Sequence, residues 1–221
     1  MKLDRALLVL AVLAVLCACS GPSPATTTTP TRSASPSSCQ AGADSVTPDI
    51  HPLIEISPAS AATPSSVTSR VRLACDETLS VTRSGAATAT FGSVAACKLT
   101  QGNTSAGLLV SRYPADVLFS LSEGKVWCRD ETPQQQEIAV CGQGTVFLDG
   151  AASFTSTCAA NHAFSVAVLS GRVQVRTRAG TRPVPVPPDM QLVYDPVTGA
   201  AAVSAITFKT SDLNTFDALS S

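Results

Sequence analysis

Cysteine is the residue type here whose number and spacing promise chemistry. The 221-residue chain holds eight, and Cys39, Cys75, Cys97, Cys128, Cys141 and Cys158 are spread along its length at gaps of 36, 22, 31, 13 and 17 residues. No C-x-x-C pair exists, and these gaps fit no zinc-ligand spacing. With only His51 and His162 to assist, metal binding and histidine-based catalysis lack ligands and bases. Six widely spaced cysteines in an exported chain read as three disulfides, for which fifteen connectivities exist. Cys75 and Cys97 fall on the apolar parity of neighbouring strands and form the first expected pair. Cys128 with Cys141, and Cys39 with Cys158, complete the expected set. Redox-active thiols are the sharper alternative and have no motif behind them.

Other catalytic constellations are equally sparse. A hydrolase nucleophile needs a serine or cysteine beside a general base, and no Gly-x-Ser-x-Gly elbow occurs. Acids for glycoside chemistry would have to come from Asp116, Glu123, Asp130, Glu131 and Glu137, a set that surface loops ordinarily carry. His162 shares parity with Phe164 and Val166 and is expected as a hydrogen-bonded residue at the core margin; His51, beside Pro52, is expected in solvent. Aromatics make up 5% of the chain with one tryptophan, Trp127, so a sugar-stacking platform is poorly supplied. The feature that best suits binding is the run Gly171–Arg178. There Arg172, Gln174, Arg176 and Arg178 alternate with Val173 and Val175, placing three guanidiniums on one strand face, with alternate residues about 6–7 Å apart, where they could clamp an acidic partner. A solvated strand face is the plain alternative.

Near the N-terminus Lys2, Asp4 and Arg5 precede an apolar run from Ala6 to Leu16. As a helix its eleven residues rise about 16 Å, roughly half a bilayer core, which suits a secretory signal. The following Leu16-Cys17-Ala18-Cys19 resembles the lipobox of bacterial lipoproteins, with Cys17 departing from the usual small residue. The resemblance implies diacylglyceryl transfer to the Cys19 thiolate and cleavage before it; the alternative is an ordinary secretory signal cut near Ala18. Two or more acyl chains would anchor the product stably. Cleavage there removes Lys2, Asp4 and Arg5, a net +1, taking the formal charge from −1 to −2. No electrostatic footprint for nucleic acid is present.

The elements that must position these residues divide the chain. Residues 1–18 are the expected signal peptide. Residues 19–66 are the lipid-anchored tether and linker, whose Ser20–Ser38 stretch of Ser, Thr, Pro, Ala and Gly cannot recover the entropy of ordering. Residues 67–208 show strand periodicity: Val71, Leu73 and Cys75 alternate with Arg70, Arg72 and Ala74, Ala87, Ala89 and Phe91 with Thr88 and Thr90, and Ala95, Cys97 and Leu99 repeat the pattern. Gly102-Asn103, Asp149-Gly150 and Thr198-Gly199 supply turns. The run from Pro183 to Pro188 reads as an edge connection that discourages sheet association. Residues 209–221 form a tail with a short helix. The expected fold is all-β and disulfide-stabilised. Charged residues make up 14% of the chain, against about 25% in ordinary domains, which leaves few ionisable groups for catalysis.

Three passages share a cadence: Gly124-Lys125-Val126-Trp127, Gly144-Thr145-Val146-Phe147, and Val168-Leu169-Ser170-Gly171-Arg172-Val173-Gln174-Val175. With the strand Asp189–Val193 they resemble the FecR domain over roughly Ala87 to Val203. The resemblance implies a β-roll or short β-solenoid, or a twisted β-sandwich, in which Gly124, Gly144 and Gly171 are structural. It implies a module that senses or scaffolds through protein contacts, without enzymatic activity, cofactor or metal. The namesake regulators place a cytoplasmic anti-sigma segment and a membrane helix before this domain; here a signal and a tether are expected instead, so direct control of a sigma factor is not implied. The resulting expectation is a lipoprotein at the outer face of a bacterial cell membrane, its partner an envelope protein. A small-ligand-binding lipoprotein and a purely structural envelope protein are the alternatives.

Overall fold

The computed structural model describes residues 45–49, 54–57, 64–73, 77–82, 84–91, 95–102, 106–111 and 117–220. The expected signal peptide, lipidation site Cys19 and tether, together with Cys39, Cys75, His51 and Asp116, lie outside them. Three long strands organise the fold: β8 (Val117–Asp130), β10 (Gly144–Cys158) and β11 (Phe164–Thr177). Around them lie β1 (Ser45–Pro48), β2 (Ile54–Ser57), β3 (Ser65–Ser66), β4 (Thr78–Thr82), β5 (Ala86–Phe91), β6 (Ala95–Thr100) and β7 (Ala106–Ser111). After β8 come β9 (Gln135–Val140), β12 (Val184–Val186), β13 (Met190–Asp195), β14 (Ala200–Ala205) and helix α1 (Thr210–Ala218).

Each long strand bends and so pairs differently along its two halves. The first half of β8 lies between β7 and β9, and its second half between β6 and β10. The first half of β10 pairs with β9 and the second half of β11; its own second half pairs with β8 and the first half of β11. Among the described pairs only β8–β9 is parallel, so the chain forms a twisted antiparallel sheet folded over its own core rather than a stack of parallel coils. The all-β expectation is met.

Glycine makes two of the bends. Gly124 (φ +93°) and Gly171 (φ +91°) take conformations that side chains rarely adopt. A Cβ at Gly171 would stand 2.3 Å from the Ala151 carbonyl oxygen, and one at Gly124 would stand 2.4 Å from that of Thr100. Folded over in this way, the sheet buries Phe119, Phe154, Leu79, Leu99, Leu121, Ile138, Leu148 and Leu192 completely. Each contributes about 1.5–3 kcal/mol by leaving water. Phe91 stacks on Phe119 at 5.6 Å between ring centroids, and Phe164 tilts against Tyr194 at 5.1 Å.

Three expectations need correction. The strands begin before residue 67: β1 pairs with β5, burying Val46, and β2 pairs with β3 and β4. These strands are too short, and too rich in serine and proline, to show a period. His162 does not face the core; it sits exposed at φ +63° in the turn joining β10 to β11, its N–H donating to the Ala159 carbonyl at 2.9 Å. The inward parity starts only at Phe164, opposite Cys158.

Among the described residues the disulfides are Cys97–Cys128 and Cys141–Cys158, not Cys75–Cys97 and Cys128–Cys141, and Cys158 is likewise not joined to Cys39. Antiparallel register sets Cys97 directly opposite Cys128 on β6 and β8, with Cα atoms 4.2 Å apart. Cys141, just past β9, reaches the end of β10 at a Cα separation of 5.6 Å. Both distances are close to the usual disulfide range.

Candidate partner-binding face

The second half of β11 alternates as its sequence requires. Val173, Val175 and Thr177 are buried, whereas Arg172, Gln174, Arg176 and the following Arg178 are exposed. Register sets what surrounds them. Phe147 on β10 stands between Glu137 of β9 and Gln174, and Gln174 has Pro185 of β12 on its other side. Thr145 stands between Ala139 and Arg176.

The three arginines are not equivalent. Arg172 Nε lies 3.6 Å from the Asp149 carboxylate, with the two side chains 82% and 55% exposed. Such a pair is worth under about 1 kcal/mol, but it partly neutralises the positive field at that end. Arg176 lies over the Phe147 ring at 4.9 Å, a cation–π contact that costs it no hydrogen-bond donor. The backbone N–H of Arg178 donates to the Gln143 carbonyl at 2.6 Å, and its guanidinium has no ion pair among the described residues.

Arg176 and Arg178 flank a cleft of about 280 Å³ whose other walls are Ala139, Gly142, Gln143, Gly144 and Thr145. The turn forming its floor is fixed at both sides of Cys141. The Cys141 N–H donates to the Leu121 carbonyl at 2.8 Å, and the Cys141–Cys158 disulfide joins the turn to the far end of β10. Gly144, the first residue of β10, packs against Phe164, whose ring lies 2.5 Å from where a Cβ would be. Two donor-rich guanidiniums beside a rigid cleft suit carboxylates, which guanidinium binds in a bidentate manner.

A larger cleft, about 440 Å³, opens beside α1 between Arg129–Glu131, Ala151–Ser153, Leu169 and Phe216. Its buried acid, Asp130, accepts from the Thr132 N–H through Oδ1 at 2.7 Å; Oδ2 has no hydrogen-bond partner but is shielded from solvent, so it offers little to a ligand. Among the described residues no group of three His, Cys, Asp or Glu could hold a metal ion.

The residue that sequence reasoning missed is Asp212. In the first turn of α1 it accepts from Lys125 Nζ and from the Trp127 indole N–H, each at 2.8 Å, while Lys125 lies over the Trp127 ring. Burial pushes its carboxyl up, but the Lys125 and Trp127 hydrogen bonds, the Lys125 charge and the Lys209 backbone outweigh this and leave it below the ordinary range. Alternation on β8 placed Lys125 and Trp127 on one face; nothing local announced their partner.

No protein-family model matches the chain, and no curated protein matches it. Among solved structures it is similar to two crystal structures described as a "putative anti-sigma factor" from Parabacteroides distasonis ATCC 8503. The first aligns at TM-score 0.47 and 17% identity over 57% of this chain and 59% of that one. The second aligns at TM-score 0.37 and 17% identity over 59% and 52%. The chain thus spans between half and three-fifths of the length of these proteins.

Proposed function

We propose that this chain is a FecR-like, lipid-anchored module of the bacterial cell envelope that works by protein–protein contact and carries no enzymatic activity. Its contact face is the outer side of β9, β10 and β11, where Arg176 and Arg178 grip an acidic segment of an envelope partner. The observation that carries this reading is the pair itself: Arg176 lies over Phe147, Arg178 has no ion-pair partner among the described residues, and both line a cleft braced by a disulfide. The disulfides suit an oxidising compartment outside the cytoplasm, and Leu16-Cys17-Ala18-Cys19 supplies the means of staying at the membrane once there.

Cross-linking in intact cells tests the contact. Arg176→Glu with Arg178→Glu abolishes partner capture and lowers stability by no more than about 1 kcal/mol, because neither side chain is buried and only the Arg176–Phe147 contact is lost. Arg172→Glu, already engaged with Asp149, serves as the milder control. Undiminished capture by the double variant refutes the role of this face. Mass analysis of the membrane-bound protein tests the anchor: an unmodified Cys19 refutes it.

A further inference from the structure

A sheet edge exposes a row of unpaired N–H and C=O groups, and natural proteins blunt such edges with shortness, proline or charge. Three edges of this sheet are blunted. β12 runs Val184-Pro185-Val186 between further prolines, β3 has two residues, and β1 has four and ends in Pro48. β14 is different. Among the described strands it pairs only with β13; it spans six residues, contains neither charge nor proline, and is exposed at every position. Val203 is 37% exposed although it pairs with the fully buried Leu192, so the strand runs past the edge of the core with both faces open. Of the five large apolar side chains exposed among the described residues, Val193, Val197 and Val203 lie on β13, on β14 or in the turn between them.

We infer that β14 is a self-association edge, pairing antiparallel with β14 of a second copy of this chain to continue the sheet across a two-fold axis. An axis perpendicular to the sheet must pass through a residue pair, and centring it on Val203 sets Val203 against itself. Ala202 then faces Ser204, and Ala201 faces Ala205, all small enough for two backbones to approach to about 4.8 Å. The ends of the strand are complementary in charge. In this register Lys209 of one copy lies alongside the Asp195–Gly199 turn of the other, and symmetry makes the contact twice. The Asp195 carboxyl accepts from the Val197 N–H at 2.9 Å and the Thr198 hydroxyl at 3.0 Å, bonds that favour its charged form. Lys209 is exposed. An acidic extended segment of another protein would meet no basic group along the strand itself, whereas a second copy meets both matches. A six-residue edge is smaller than the roughly 800 Å² per partner of a standard interface, so the association is reversible and concentration-dependent.

Sedimentation velocity on the full chain over a concentration series tests this, with Ala202→Lys and Ala202→Asp as probes. Position 202 points away from the core beside Val193, and across the axis the two copies stand as diagonal neighbours about 7–8 Å apart. The wild type is expected to pass from monomer to dimer as concentration rises. Each charged variant alone weakens the dimer about two- to fivefold through like-charge repulsion, with an unchanged near-ultraviolet circular dichroism spectrum. An equimolar mixture of the two restores dimer, which a folding defect could not do. A wild type that stays monomeric throughout overturns the inference. So does monomeric wild type with slowly exchanging β14 amides, which would mean that another part of the same chain covers the edge. Undiminished dimer in both charged variants overturns it as well.

Discussion

Helix α1 is docked in part through one carboxylate, and Asp212→Ala is expected to loosen it. The nine residues Thr210–Ala218 are poor helix formers, no side chain caps the N-terminus, and so short a helix is not stable alone. Its attachment comes from buried Phe216, which meets Phe208 edge-on at 6.0 Å, from Arg129 bonding Ser220 beyond its end, and from the Asp212 contacts. A hydrogen bond to a charged group is worth about 1.5–3 kcal/mol. With the Lys125 and Asp212 side chains 25% and 14% exposed, solvent screening reduces the pair, and the two bonds together supply about 2 kcal/mol. Loss of that much shifts the balance between docked and released helix roughly thirtyfold at about 1.4 kcal/mol per decade. Asp212→Asn keeps an acceptor for the Trp127 indole but loses the charge, and is expected to cost about 1 kcal/mol.

Trp127 is the only tryptophan, so its fluorescence reports this joint directly. Asp212→Ala moves the emission to the red under native conditions and lowers the urea midpoint. Acid acts on the same group. A carboxyl held below its ordinary value contributes stability that is fully present above the unfolded value of about 3.9 and is lost as pH falls through the folded one. Wild type therefore loses this contribution on acidification below that point, while Asp212→Asn has none to lose. An unshifted Trp127 emission in Asp212→Ala, with under about 0.5 kcal/mol of destabilisation, refutes the reasoning.

Peptide mapping under non-reducing conditions is expected to recover Cys97 linked to Cys128 and Cys141 linked to Cys158; a Cys128–Cys141 peptide contradicts the register between β6 and β8. Chain-entropy estimates for separations of 31 and 17 residues put the loss on removing each bridge at about 4 and about 3 kcal/mol, readable in urea denaturation. Gly171→Ala meets both a positive φ and the Ala151 carbonyl and is expected to cost about 3 kcal/mol or more. Gly150→Ala, at φ +87° with nothing within 4 Å, carries the backbone strain alone, about 1 kcal/mol. Equal losses at the two positions in thermal denaturation contradict the close approach at Gly171.

What could be read from the chain depended on whether it was a property of one strand or of two. The alternation along Arg172–Arg178 needs only a period of two, and the structure keeps it residue by residue. Cys97 and Cys128 also each lie on the inward parity of their own strands, which was legible. That β6 lies beside the second half of β8 was not, because the bend at Gly124 sends the first half of β8 to other neighbours. The expected Cys128–Cys141 pair therefore fails, because Cys128 on the second half of β8 stands opposite Cys97 of β6. The Asp212 joint lies 85 residues from Trp127 and was hidden for the same reason.

The arginine face shows the consequence for function. Three guanidiniums on one strand suggest a single basic clamp. Cross-strand neighbours divide it into one arginine facing Asp149, one lying over Phe147 and one without an ion-pair partner among the described residues. The strand period identifies which side chains reach solvent, but only the register shows how much of their charge is left for a partner. In the proposed contact the effective cluster is therefore Arg176 with Arg178, and charge reversal at Arg172 is expected to have the smaller effect on partner capture.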